Sequence, residues 1–336
     1  MKVILTFDYE MFFGKSGTID ACLIEPTNEI INVLKKYDAH ASFFVDTTFL
    51  LFLLKNDLVK EYDRIEQQLI ELIQLGHRLE LHIHPHWLDA KYDKRSSKFM
   101  FPTYNRYILS SCEIDIQKKL FSDGISLLRA IGMKAGCPTY KPIAYRAGGW
   151  CFDLNEDVIN MLRDGGIRVD SSVIPRRKCI NAISAYNYLM IKSDQPYRFN
   201  KSLLENDSDG AFLEFPISIY RISPYCILKA LLKRRTNSIK TKRFGDGTSI
   251  FDIQTRRLKD RLLYNITWSY GYYSTDASCE FLYEKVRNYK NNILTIVGHP
   301  KCTTWSSLDF LTQLGMDEKL SLCTIYDLYI EKYNGF

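Results

Sequence analysis

Three of the six histidines in this 336-residue chain fall within five positions of the segment "LELHIHPHW", as His82, His84 and His86. Clustered imidazoles are a frequent metal-ligand signature. In a fully extended strand the Cα atoms of His82 and His86 would lie about 13 Å apart, at the limit for sharing one ion. Pro85 cannot continue a central strand, so a turn there would bring His82 and His86 together. The alternative is a polar loop beside the core, covered by Trp87.

Two carboxylates stand close together near the start of the chain, in the segment "TFDYE". Asp8 and Glu10 are two positions apart, so a strand would place both on one face and Tyr9 on the other. Burying two acids beside an apolar strand is costly unless a cation compensates them. A metal ion shared with the histidines is one such cation, and Arg146 in "AYRAGGW" is another. The alternative is a pair of solvated acids at a strand end.

The elements that would position these residues alternate between short apolar runs and amphipathic stretches. This alternation predicts an α/β fold with a mainly parallel sheet, open or closed. His40 and His77 each precede a predicted strand, where a structural role is expected. The strand candidates are residues 2–7, 40–45, 78–83, 143–146, 167–173, 211–219 and 292–298, and the helix candidates are a stretch starting at Pro26 and residues 64–75, 113–131 and 155–164.

Taken in order, these motifs resemble those of the polysaccharide deacetylase family, also called the NodB-homology or carbohydrate esterase family 4 group. "TFDYE" resembles its opening Asp-Asp motif, "VLKKYDAHASFFVD" its second strand, and "GHRLELHIHPH" its metal-histidine motif. "YRAGGW" resembles its arginine motif, and "GIRVDSSV" and "LTIVGHP" its late Asp and His motifs. The resemblance covers about residues 2–175 and 290–303. It implies a distorted (β/α) barrel, usually of seven strands, and metal-dependent removal of an N-acetyl group from a sugar, often with zinc.

The resemblance also implies a metal site. His82 and His86 match the family's two metal histidines, and Glu10 is predicted as the third ligand. The family's second aspartate would stand at Tyr9, which is a poor metal ligand while neutral. A bound Zn²⁺ would lower the pKa of a water molecule and polarise the amide carbonyl. Asp8 is predicted as the general base, although Asp8 in place of Glu10 as third ligand stays open.

Further roles implied by the resemblance complete a catalytic set. Arg146 would hold Asp8 ionised and oriented, and His299 would protonate the departing amine. Asp170 would sit behind His299 and raise its pKa. A backbone N–H near Gly149 or Trp150 is predicted to stabilise the oxyanion. Tyr9 and His84 are predicted to line the substrate pocket, and for His84 metal binding also stays open.

The bulk properties suit an ordinary globular protein, with 46% apolar residues, 25% charged residues and a formal net charge of +6. The longest clearly apolar stretch, Phe49–Leu54, is far shorter than the roughly 20 residues that span a bilayer. Nine scattered cysteines without a CxxC pair favour a reducing cytoplasm. No motif indicates nucleic-acid binding. We therefore predict a cytoplasmic protein.

The least regular part of the chain, at about residues 175–290, is interpreted as an insertion before the last core strand of a single domain spanning residues 1–336. Its basic run Lys233–Arg243 is either a solvated face or a contact for the phosphates of a nucleotide- or lipid-linked sugar, or for an anionic membrane surface. Its aromatic residues would either stack on sugar rings or pack in the core: Trp268, Tyr270, Tyr272 and Tyr273.

The leading functional hypothesis is a metal-dependent N-deacetylase that acts on an amino-sugar glycoconjugate or its activated precursor. One alternative is another metal-dependent amide hydrolase on the same scaffold. A second is a degenerate glycan-binding protein without catalysis, which Tyr9 and the altered arginine motif, "RAGG" in place of "RxPxG", keep open. An amidohydrolase barrel fits less well, because only His299 follows His86 and that class needs further histidines.

Overall fold

A curled, mostly parallel sheet forms the centre of the molecule. The structure is a computed structural model, and it describes residues 1–180, 184–222, 239–250, 270–276 and 280–333. Eight of the sheet's nine strands run parallel, and seven of these eight coincide with the seven strand candidates of the sequence. The predicted α/β barrel architecture is thereby confirmed. The nine strands of the sheet are β1 (Lys2–Tyr9), β2 (Ser42–Asp46), β3 (Arg78–Ile83), β4 (Ala144–Ala147), β5 (Val169–Asp170), β6 (Tyr197–Phe199), β7 (Phe212–Glu214), β8 (Ile293–Gly298) and β9 (Ser321–Cys323).

The strands follow the order β6-β7-β5-β4-β3-β2-β1-β8, and β9 pairs with the first residues of β1. Only β6 runs antiparallel to its neighbour. The chain beyond β7 joins the two ends of the sheet, because Ser218 N donates to the carbonyl of Thr295 at 3.0 Å and its Oγ accepts from Thr295 N at 2.9 Å. These bonds curl the sheet into a barrel whose edges are largely protected.

Helices cover the outside of the sheet, as expected where parallel strands are buried on both faces. All four predicted helices are present, and α1 begins with Pro26 in its first turn. A further helix, α2, was not predicted, because its sequence "TTFLLFLLK" is apolar on nearly every side. The helices are α1 (Glu25–Lys36), α2 (Thr47–Lys55), α3 (Val59–Gln74), α4 (Ile114–Lys134), α5 (Glu156–Gly165), α6 (Glu280–Arg287), α7 (Trp305–Met316) and α8 (Ile325–Tyr333).

The region predicted as an insertion contributes to the barrel itself, because β6 and β7 both lie within residues 175–290. It also supplies two antiparallel strand pairs, Lys178–Ile180 with Ala185–Asn187 and Ile219–Arg221 with Tyr270–Tyr272. The predicted sugar or phosphate contacts at Lys233, Arg234, Arg235 and Trp268 lie outside the described residues. The single-domain boundaries stay a prediction.

Within the described ranges, no helix is long and apolar enough to cross a membrane.

Candidate metal and acid–base site

The site lies where the parallel strands end, at the carboxyl-terminal rim that carries the chemistry of most α/β barrels. Asp8 is the penultimate residue of β1, and Glu10 follows that strand directly. Both carboxylates are buried on the same face, as their spacing predicted. Tyr9 points the other way, into the core, where its hydroxyl donates to Gln68 Oε1 at 2.8 Å. The prediction that Tyr9 lines the substrate pocket is therefore wrong.

Glu10, His82 and His84 form the group that could hold a metal ion, since one ligand atom from each lies within 4.8 Å of the others. The Oε2 atom of Glu10 is 3.2 Å from His82 Nε2 and also contacts His84 Nε2. All three side chains are buried. Two imidazoles and one glutamate are a donor set that proteins use for catalytic zinc.

His84 joins this group in the place predicted for His86, and the backbone explains the exchange. The chain stays extended through His84, with φ −121° and ψ 94°, because the residue before a proline avoids helical angles. His82 and His84 therefore share one side of the extended chain. A 3₁₀ turn begins at Pro85 and carries His86 away. The convergence of His82 and His86 expected from a turn is thus replaced by an i, i+2 pair.

The imidazole of His86 lies among aromatic rings, with centroids 4.2 Å from Phe13 and 5.0 Å from Phe101. Neither ring nitrogen has a hydrogen-bond partner among the described residues. Burial holds the pKa of His86 well below its usual value, and the nearby His84 lowers it further. His86 is therefore a neutral, buried ring that closes one side of the pocket.

The hydrogen bonds of His82 indicate that a cation belongs between it and Glu10. His82 Nδ1 lies 2.7 Å from the backbone carbonyl of Arg146, which can only accept, so Nδ1 carries a proton. In the neutral tautomer, the lone pair of Nε2 would then face the carboxylate oxygen of Glu10. Either a second proton or a metal ion relieves this repulsion. Burial alone would lower the pKa of His82, but Glu10, Asp8 and Asp46 together outweigh burial and raise it. A carbonyl that fixes the tautomer is a common support for metal-binding histidines.

Lys301 is a site residue that sequence reasoning missed. Its buried ammonium donates to Glu10 Oε1 at 2.7 Å and to the carbonyl of Met11 at 2.9 Å. Burial would raise the pKa of Glu10, but the positive charges of Lys301 and His84 hold it well below its usual value. One carboxylate oxygen is thus engaged by lysine while the other faces the histidines. The only sequence signal was the position of Lys301, two residues beyond His299 at the end of a buried strand.

The predicted partnership of Asp8 and Arg146 is present. Arg146 is fully buried in the centre of the barrel, and its Nη1 forms an ion pair with Asp8 Oδ1. Its other nitrogens donate to Thr6 Oγ1 at 3.0 Å and to the carbonyl and hydroxyl of Ser171 at 2.7 and 2.9 Å. With its guanidinium fixed on three sides, Arg146 orients Asp8 toward the pocket.

His299 completes the acid–base set, with Nε2 at 3.5 Å from both Asp8 Oδ2 and Glu10 Oε1. Its Nδ1 lies 2.6 Å from Asp276 Oδ2, and its backbone amide donates to Asp276 Oδ1 at 2.8 Å. Burial by itself would lower the pKa of His299, but the charge of Asp276 raises it to about 9. Asp276 therefore has the position predicted for Asp170. Sequence spacing gave no signal for it, because Asp276 lies outside every predicted element.

Asp170 instead pairs with a second buried acid, Glu214, so its predicted place behind His299 is wrong. Asp170 accepts hydrogen bonds from the amide and hydroxyl of Ser172 at 2.9 and 2.8 Å. Burial raises the pKa of both carboxyls, and the charge of Asp170 raises that of Glu214 further. Both shifts favour a protonated carboxyl in this buried pair.

Gly149 and Trp150 lie beside His299, in a short 3₁₀ turn after β4. Both have left-handed backbone angles, with φ 61° and 59°, which glycine adopts freely and tryptophan rarely does. The ring centroid of Trp150 is 6.3 Å from that of His299. Their predicted part in stabilising an oxyanion stays a prediction.

Comparisons with known proteins yield similar structures but no similar sequences: no protein-family model and no curated protein matches the chain. Three of the similar solved structures are the peptidoglycan deacetylase PdaC of Bacillus subtilis, a Mycobacterium smegmatis protein provisionally named a polysaccharide deacetylase, and the 4-α-glucanotransferase of Thermococcus litoralis. Each is 13% identical to the chain. PdaC has a TM-score of 0.42, and the match covers 97% of this chain and 88% of PdaC. The Mycobacterium smegmatis protein has a TM-score of 0.48, with 98% of this chain and 89% of that protein covered. The glucanotransferase has a TM-score of 0.50, with 99% of this chain but only 40% of that protein covered.

At this identity the likeness shows the fold alone, and the score of 0.50 supports the barrel architecture.

Substituting each histidine in turn should show whether the third metal ligand beside Glu10 and His82 is His84 or His86. We expect His82→Ala and His84→Ala to lose bound metal, because each removes one of three donors. His86→Phe should retain it, because a phenyl ring suits the surrounding aromatic side chains. Metal content per chain after zinc loading, measured by elemental analysis, checks this. Retention in His84→Ala together with loss in His86→Phe would restore the assignment made from sequence.

Glu214→Gln should flatten the pH dependence of stability. Since its pKa is raised on folding, Glu214 binds a proton in the folded state at pH values where the unfolded chain has released it. Its stabilising contribution is full below about pH 4 and is lost as the pH rises, by about 1.4 kcal/mol for each pH unit over which the folded pair keeps that proton. Glutamine does not titrate, so the variant should gain stability relative to the wild type as the pH rises above about 4, the pKa of glutamate in the unfolded chain.

Urea unfolding at several pH values measures this difference. Glu205→Gln, in an exposed loop, is the matched control and should follow the wild type. Parallel profiles for Glu214→Gln and the wild type would show that the folded pair holds no such proton.

Proposed function

We propose that the chain is a metal-dependent N-deacetylase that hydrolyses the N-acetyl group of an amino-sugar glycoconjugate or its activated precursor. One arrangement carries this proposal. His299 Nε2 lies 3.5 Å from both Asp8 and Glu10, and Glu10 is at the same time shared with His82 and His84. A group able to hold a metal ion is thus in contact with a buried base and a half-buried acid.

The metal ion, with Zn²⁺ as the proposed identity, would be held by Glu10, His82 and His84. When bound, a divalent cation lowers the pKa of a water molecule and polarises the substrate carbonyl. Lys301 and the carbonyl of Arg146 fix two of the three ligands, so the donor set is preorganised.

Asp8 is the proposed general base. Its Oδ1 is held by Arg146, and its Oδ2 faces the pocket near His299. Ion pairing keeps a carboxylate charged and ready to accept a proton from water. The fixed guanidinium also limits the rotation of Asp8, which matters because proton transfer requires hydrogen-bond geometry.

His299 is the proposed acid, which gives a proton to the amine as the carbon–nitrogen bond breaks. Asp276 supports this role because its charge favours the protonated imidazole and its hydrogen bond orients Nε2 toward the pocket. The acid and the base thus approach the reacting amide from neighbouring strand ends, β8 and β1. Backbone N–H groups near Gly149 and Trp150 are the proposed partners of the developing oxyanion.

The proposed substrate is an N-acetylated sugar, linked to a nucleotide or a lipid if the protein acts in the cytoplasm. For a lipid-linked sugar, the proposal includes a peripheral contact of the protein with an anionic membrane surface. The alternatives are hydrolysis of a non-sugar amide on the same site and binding of a glycan without hydrolysis. Acetate release separates these functions, because only deacetylation yields acetate from N-acetylhexosamine compounds.

Asp8→Asn should reduce acetate release by at least about a hundredfold, because a general base typically contributes that much and asparagine cannot accept the proton. The fold should persist, since the amide oxygen still accepts a hydrogen bond from Arg146. Enzymatic detection of acetate from N-acetylglucosamine oligomers and sugar nucleotides checks this, with Asp93→Asn on an exposed hairpin as the control. Undiminished turnover in Asp8→Asn would remove Asp8 from the mechanism.

Asp276→Asn should also slow acetate release, by about tenfold or more, because the imidazolium loses its charged partner. The double variant Asp276→Asn/His299→Gln should be no slower than His299→Gln alone, since Asp276 acts through His299. Metal content should stay at the wild-type level in all three variants. Additive effects of the two substitutions would show that Asp276 does not work through His299.

A further inference from the structure

A second cluster of charged and aromatic residues lies on the same rim as the candidate site. The side chains are Arg176 and Arg177 after β5, Arg221 after β7, and Tyr270 and Tyr272 on the strand that pairs with it. We call these five residues the arginine–tyrosine rim. The Arg177 guanidinium carbon lies 4.5 Å from the ring centroid of Tyr272, and that of Arg176 lies 4.9 Å from the ring centroid of Tyr270.

An unbroken line of aromatic contacts joins this rim to the acid–base set. The ring of Tyr272 is 5.7 Å from that of Trp150, and the ring of Trp150 is 6.3 Å from that of His299. All three rings are partly exposed. A ligand reacting beside His299 would therefore extend across Trp150 and Tyr272 and reach Arg177. Aromatic rings of this kind offer apolar faces against which a sugar ring can pack.

The rim gathers three positive charges. Arg221 lies near the Tyr270 ring that Arg176 also approaches, with its guanidinium carbon 6.0 Å from the ring centroid. Positive charges grouped at the rim of a site raise the local concentration of anionic ligands. Stacking on the tyrosines limits the motion of the guanidinium groups, which lowers the entropy cost of binding. Planar guanidinium groups suit phosphate oxygens through paired N–H donors.

We propose that the arginine–tyrosine rim binds a phosphate group of the substrate, so that the site accepts an N-acetylated sugar phosphate in preference to a neutral glycan. This inference rests on the proposed function, because it places the acetamido group beside His299. A nucleoside diphosphate sugar and a polyprenyl diphosphate sugar share this chemistry. The rim residues bind and orient the substrate and take no part in proton transfer.

Binding to the Asp8→Asn protein, loaded with zinc and measured by calorimetry, tests the inference without turnover. The probes are N-acetylglucosamine, its 1-phosphate, uridine diphosphate N-acetylglucosamine and a short polyprenyl diphosphate N-acetylglucosamine. We expect the phosphorylated sugars to bind at least about tenfold more tightly than the neutral sugar, because one charged hydrogen bond from an arginine to the phosphate accounts for that difference in affinity. The tighter binder of the two diphosphate sugars shows whether the phosphate of the substrate belongs to a nucleotide or to a lipid carrier.

Arg177→Gln should remove most of this preference, and Arg176→Gln and Arg221→Gln should each weaken it, with little effect on the neutral sugar. Arg163→Gln is the matched control, because Arg163 lies in the last turn of α5, at the opposite end of the barrel. Equal affinities for neutral and phosphorylated sugars would overturn the inference. So would a phosphate preference that survives Arg176→Gln/Arg177→Gln.

Acetate release by the wild type keeps the two proposals apart. Deacetylation of neutral and phosphorylated sugars at equal kcat/KM would retain the deacetylase and reject the phosphate site. Rim-dependent phosphate binding without acetate from any probe would retain the phosphate site and reject the deacetylase.

Discussion

One buried carboxylate, Glu10, is the charge around which the site is organised. Its two oxygens are approached by Lys301, His82 and His84, which come from two different strand ends of the barrel. An isolated carboxylate at this depth would be protonated or would destabilise the fold. The partners reverse that outcome and keep Glu10 ionised. Because Lys301 and His82 are each fixed by a backbone carbonyl, the charge is compensated in a geometry that is also that of a metal-ligand set.

Arg146 plays the corresponding part for Asp8 and for the barrel. Its side chain crosses the interior and binds Thr6 and Asp8 on β1 and Ser171 directly after β5. Removing the carboxylate of Asp8 would leave the buried guanidinium without its charged partner, which costs about 3–5 kcal/mol. The same contacts that hold Asp8 in place therefore also hold the strands in register. Stability and positioning of the base cannot be separated at this residue.

Sequence reasoning could predict what depends on local periodicity. Seven of the eight parallel strands, the facing of Asp8 and Glu10 and the pairing of Arg146 with Asp8 all follow from alternation and from charges that must be compensated. It could not predict that His84 takes the place of His86, because that choice depends on the backbone angles of one residue before Pro85. Asp276 and Glu214 were missed for another reason. Each reaches its partner through a tertiary contact that no spacing in the sequence encodes.

The balance of charge links the candidate site to its surroundings. Asp8 and Glu10 are already matched by the fixed charges of Arg146 and Lys301, so a divalent cation held by the histidines would leave an excess of positive charge. Such an excess favours hydroxide over water and stabilises an oxyanion. It also attracts anionic ligands from solution, since fields in a low-dielectric pocket extend beyond direct contacts. The arginines on the same rim add to this field. The positive charge of the site and the negative charge of the proposed phosphorylated substrate are therefore complementary.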